Sequence, residues 1–199
     1  MNISSLVSSI MRTISYSEYL QLVTEFAEQG KTSGEQLPEK ISATALNSQR
    51  MHRIGKQCLL NTQLQTAAIA FSRRCKWLVI AETWCGDAAQ CVPVISKIAS
   101  LNPLIKLEII FRDENPTIMD HFLTNGARAI PKLICIDEAT QDILFIWGPR
   151  PKKIQQKVFE FKQAFPQASH DELVKNIHLW YARDKTASIQ DEFIALLNN

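Results

Sequence analysis

Between residues 16 and 29 apolar side chains recur at intervals of three and four. Tyr19, Leu20, Val23, Phe26 and Ala27 share one helical face, and Gly30 follows as a stop. Turn formers fill residues 31–38. A second helical pattern runs through Leu46, Met51, Ile54 and Cys58, after which Asn61 stands where the N-cap of a third helix belongs. At Trp77 the period changes, because residues 77–81 form the unbroken apolar run of a strand covered on both faces. Residues 104–111 predict a second strand. Between them, residues 86–101 repeat Val92, Ile95, Ile98 and Ala99 at helical spacing, which makes a β-α-β unit with parallel strands. Two further runs, Lys132–Asp137 and Ile143–Trp147, flank a polar stretch and predict an antiparallel hairpin. Helical periodicity returns through Ile154, Val158, Phe161 and Phe165 until Pro166 ends it, and residues 170–181 and 188–197 predict two more helices.

This order predicts an α/β core over residues 71–165, preceded by a helical extension (1–70) and followed by another (166–199). The 199 residues are 46% hydrophobic and 21% charged, within the range of ordinary globular chains. A net charge of +2 with both signs interspersed supports neither a nucleic-acid nor a polybasic membrane role. Residues 1–11 have an apolar tint broken by serines with no basic residue ahead of it, unlike a secretory signal, and no apolar run approaches a membrane span. The five cysteines, at 58, 75, 85, 91 and 135, are odd in number and scattered, so a reducing cytoplasm is the expected home. No C-x-x-C pair occurs, and His52, His121, His170 and His178 form no ligand grouping, so neither metal nor cofactor is expected.

Chemistry concentrates at residues 82–93, Glu-Thr-Trp-Cys-Gly-Asp-Ala-Ala-Gln-Cys-Val-Pro, where the first strand hands over to a helix. A cysteine there faces free backbone N–H groups at the positive end of the helix dipole, which favours thiolate. The stretch resembles the thioredoxin superfamily. Trp84-Cys85-Gly86 matches its W-C-G opening and Pro93 its helix-kinking proline. Ala129-Ile130-Pro131 matches the segment of its active-site cis-proline, and Gly148 the glycine after its last strand. The similarity spans about residues 77–165 and is greatest to a bacterial thioredoxin-like subgroup with W-C-G-D-A in place of W-C-G-P-C. It implies a three-layer fold, a central mixed sheet flanked by helices, with Cys85 as nucleophile. It also implies a binding rim of Trp84, Gly86, Asp87, Arg112, Ile130 and Pro131.

Two positions depart from that pattern. Ala88 replaces the second cysteine, and Val79 replaces the buried acid; strand alternation puts Glu82 on the face opposite Val79, so Glu82 is a poor substitute. Asp87 opposes a thiolate through like charge, which leaves the sign of the Cys85 pKa shift open. Cys91 lies six helical residues on, about 9 Å along the axis and beyond disulfide reach of roughly 7 Å. Cys91, Cys58 and Cys135 read as packing. Cys75, beside Arg73, Arg74 and Lys76, is the second candidate for a reactive thiol. Trp147, Trp180 and Tyr181 read as structural anchors. The expected activity is single-cysteine thiol–disulfide exchange, with protein disulfides or low-molecular-weight thiols as partners; the rival is a non-catalytic module that docks peptide or protein.

Overall fold

The computed structural model describes residues 12–198. Three helices come first: α1 (Tyr16–Glu28), α2 (Pro38–Gln57) and α3 (Thr62–Ala70). Local chemistry sets their starts. Ser15 and Glu18 close a reciprocal capping box on α1, Pro38 opens α2 where no N–H is needed, and Asn61 accepts from the Leu64 N–H at 2.8 Å on α3. Then follow β1 (Cys75–Ala81), α4 (Gly86–Ala99), β2 (Ile105–Phe111), α5 (Pro116–His121), β3 (Lys132–Asp137) and β4 (Ile143–Trp147). Three helices, α6 (Lys152–Ala164), α7 (His170–Asp184) and α8 (Ala187–Leu197), complete the chain.

The strands form one mixed sheet in the order β2-β1-β3-β4. β1 runs parallel to β2, and β3 is antiparallel to both β1 and β4. The two inner strands are almost wholly buried, as their continuous apolar runs require, whereas β4 at the edge leaves Ile143 and Ile146 exposed. At the other edge Ile14 exchanges backbone hydrogen bonds with Ile109 of β2 at 2.8 and 3.0 Å. The fold is therefore α/β and thioredoxin-like, with a helix-flanked mixed sheet.

Two elements differ from the sequence-based expectation. β1 begins at Cys75 rather than Trp77, because Cys75 and Lys76 find strand partners on both sides and Glu108 takes the Lys76 charge at 3.2 Å. The helix α5 was not foreseen. It is a single turn and a half with only Ile118 and Met119 buried, too short to repeat a period. The reading of residues 1–11 lies outside the described residues. Among the described residues no helix is long and apolar enough to cross a membrane.

The outer helices pack on the same core as the sheet. α2 lies against α4, and α8 inserts Phe193, fully buried, between Trp77 of β1 and Trp147 of β4 at ring separations of 5.4 and 5.5 Å.

Candidate functional site

β1 ends at Ala81, four residues turn the chain, and α4 begins at Gly86 with Cys85 as its N-cap. The Cys85 sulfur accepts from the Ala88 N–H at 3.4 Å, and its thiol donates to the Ile130 carbonyl at 3.3 Å. The Ile130–Pro131 peptide bond is cis. Gly148, at φ +111°, closes over it, and a Cβ there would collide with the Pro131 carbonyl oxygen. Ile130 and Pro131, just ahead of β3, and the sulfur, at the N-cap of α4, thus converge although they are far apart in sequence.

Trp84 is half-buried. Lys40 Nζ lies 5.1 Å and the Arg112 guanidinium carbon 4.7 Å from the centre of its ring, cation–π contacts worth roughly 0.5–1 kcal/mol each where exposed. Arg112 also pairs with Asp113 at 2.8 Å. Arg112 stands on the rim, but its guanidinium rests on Trp84 and Asp113.

Gly86 has no Cβ, and a Cβ there would lie 3.2 Å from His178 Cε1 and 3.7 Å from Arg50 Nη1. Asp87, on the first turn of α4, is gripped from two directions. Arg150, just past β4, bonds it through Nε at 3.0 Å and through a second guanidinium nitrogen, and the Tyr181 hydroxyl of α7 donates to it at 2.8 Å. Tyr181 also contacts the Cys91 sulfur at 3.5 Å.

Burial decides the charge state of Cys85. Only 7% exposed, its thiol is pushed up to about 12, by desolvation first and by the Asp87 carboxylate next. The Ala88 and Asp87 amides and the Arg150 guanidinium pull the other way and lose. The sign that residue types alone leave open is therefore upward, and the resting group is a neutral thiol.

The remaining candidates fall outside this cluster. Cys91 is buried with its pKa raised by desolvation, and all five cysteines are free thiols. Cys75 opens β1 but is wholly buried there, where a hydrogen bond with Cys135 lowers its pKa, while Arg73 turns to Asp137 at 2.7 Å. Glu82 is fully buried and takes a hydrogen bond from the Ser33 hydroxyl and another from the Asp113 N–H at 2.9 Å, neither of which leads to the Cys85 sulfur. Among the described residues no three His, Cys, Asp or Glu side chains gather as a metal site.

Sequence reasoning missed what holds this turn. Thr83, two residues before Cys85, sits in a buried hydroxyl cluster with Thr32 at 3.2 Å, Thr44 at 3.1 Å and Ser33 at 3.1 Å. Asn47 of α2 donates to the Thr83 carbonyl at 2.9 Å. Arg150 and Tyr181 were likewise unassigned to the site. The available signal was Asp87 itself, because a carboxylate on a half-buried turn needs a cationic partner.

Among solved structures, the chain is similar to a protein of unknown function from Pseudomonas aeruginosa, with 20% identity over 93% of this chain and 98% of that one and a TM-score of 0.56. An HIV epitope scaffold is similar at 17% identity, with the same coverages and a TM-score of 0.55. At such identities the likeness concerns the fold alone. No curated protein matches. A family model described as thioredoxin matches residues 34–168, which takes in α2, the whole sheet, α4 and the segments that carry Cys85, Ile130, Gly148 and Arg150. With well over half of its length matched, the chain belongs to this thioredoxin family.

Proposed function

We propose that this chain carries out thiol–disulfide exchange through a single thiol, Cys85, with an outside thiol resolving the intermediate. The observation that carries this reading is the seating of the sulfur between the Ala88 N–H and the Ile130 carbonyl, beside the half-buried ring of Trp84. In the first step Cys85 loses its proton to solvent, and the thiolate attacks one sulfur of a disulfide R–S–S–R. A Cys85–S–S–R bond forms, and RS⁻ leaves and takes up a proton. An outside thiolate R′S⁻ then attacks the R sulfur of the mixed disulfide: an R′–S–S–R bond forms, the Cys85–S bond breaks, and the departing Cys85 thiolate regains its proton. Ala88 offers no internal thiol for that second step. Protein disulfides and low-molecular-weight thiols are the partners this scheme requires.

The burial of Cys85 favours a second reading, a module that docks peptide or protein along Ile130–Pro131 without chemistry. Intact-mass measurement after incubation with glutathione disulfide over a pH series separates the two. Exchange predicts a single adduct on Cys85, absent in Cys85→Ser, whose rate climbs about tenfold per pH unit towards the thiol pKa near 12, since the reacting fraction is the thiolate. A wild-type chain that forms no adduct up to pH 9 overturns the exchange reading.

A further inference from the structure

Away from the Cys85 turn, a concave site lies between α2 and the corner that joins α7 to α8. It encloses about 490 Å³, within the range of small-molecule pockets, and Cys85 is not among its walls. Its lining combines the apolar side chains of Ile54 and Leu59 and the ring of Tyr181 with two cations, Arg53 and Lys185, and the amides of Gln57 and Gln90.

The charge around this cleft is not balanced. Arg53 and Lys185 meet no carboxylate within ion-pair distance among the described residues. The nearby Arg50 donates only to the neutral Asn47, at 3.0 Å, and its pKa is lowered by burial and by Arg53. Asp184, the nearest acid in sequence, is taken up by Ser188 through its hydroxyl and its N–H. Repulsion between Arg50 and Arg53, left uncompensated in a lining that also holds apolar side chains, is relieved by an anion.

The cleft's corner is also held in an unusual conformation. Lys185 and Thr186 have φ of +49° and +68°, and for a β-branched residue such as Thr186 this is a costly backbone state. It is fixed by the Thr186 hydroxyl, which meets the Gln190 amide at 2.9 Å and the Cys58 sulfur at 3.4 Å. The arrangement turns the chain from α7 into α8 with Lys185 on the rim of the hollow.

We infer that this cleft binds a small organic anion, a phosphate or carboxylate attached to an apolar body, with Arg53 and Lys185 on the charge and Ile54 and Tyr181 against the body. Recognition needs both halves, so neither a bare anion nor a neutral ring suffices. The site does not depend on thiol chemistry and stands or falls apart from it.

Calorimetric titration of the full chain with phenyl phosphate at low ionic strength tests the inference, with inorganic phosphate and phenol as the two half-ligands. Saturable binding is expected for phenyl phosphate and at least fivefold weaker binding for either half. The exposed pair Arg53→Gln/Lys185→Gln, whose melting temperature should match wild type, should bind at least tenfold more weakly, while Cys85→Ser should bind like wild type. Absence of saturable binding at millimolar phenyl phosphate overturns the proposal. So does unchanged affinity in the double variant, or equal affinity for inorganic phosphate, which would reveal only a cationic patch.

Discussion

The neutral state of Cys85 results from two opposing influences at a single residue. An N-cap thiol next to open amides tends towards thiolate, but desolvation and the Asp87 carboxylate outweigh that tendency. Asp87→Asn removes the second influence and leaves Arg150 without its counter-charge. The Cys85 pKa should therefore fall, and iodoacetamide should modify Cys85 faster than in wild type at pH 8, as followed by peptide mass spectrometry. The same variant should lose about 2–3 kcal/mol of stability, because a half-buried guanidinium then lacks its partner. An unchanged rate in Asp87→Asn would mean that burial alone sets the thiol's state. The place of Cys85, at the start of α4 and opposite Ile130-Pro131, was legible from the resemblance carried by Trp84-Cys85-Gly86 and Ile130-Pro131. Its charge state was not, because solvent exposure depends on residues distant in sequence.

At the level of elements, the turn before α4 is braced from both ends of the chain. Ser33 and Thr32, between α1 and α2, meet Thr83, so the loop that sets the angle of Trp84 and Cys85 is fixed by segments ahead of the sheet. Thr83→Val keeps the shape but removes the shared hydroxyl, which leaves the Ser33 N–H without its acceptor at 2.9 Å. A loss of about 1–3 kcal/mol in denaturant unfolding is expected. On the opposite side Gly148→Ala drives a methyl into the Pro131 carbonyl and forces a non-glycine residue to φ near +111°. We expect at least about 2 kcal/mol of destabilisation, with displaced amide signals at Ile130 and Cys85 in an NMR spectrum. The strands and most helices could be read from hydrophobic period. The hydroxyl cluster could not, since scattered serines and threonines resemble ordinary turn residues until folding brings them together.

For the whole molecule, the family match ends at residue 168, yet packing continues beyond it. Phe193 fills the space between Trp77 and Trp147, and its replacement by alanine should cost about 3–5 kcal/mol, measurable by thermal melting. α7 adds a dependence on acidity. Burial and the charge of Arg50 hold His178 at about 4, below its ordinary 6.5. A folded-state pKa depressed in this way contributes stability that is fully present above pH 6.5 and is lost as the pH falls towards 4. The wild-type melting temperature should drop across that window, and His178→Gln, which cannot take the proton, should flatten the drop. Periodicity located α7 and α8, but a helical stripe does not name the surface it covers, so the reach of α7 to Gly86 and Asp87 appears only in three dimensions. That reach bears on how the molecule is made. Synthesis proceeds from the N-terminus, so Asp87 has no Tyr181 hydroxyl to bind, and Gly86 no His178 ring against it, until α7 has left the ribosome. The nascent chain therefore carries Cys85 in a setting different from that of the folded protein, before the surroundings that set its final acidity are in place.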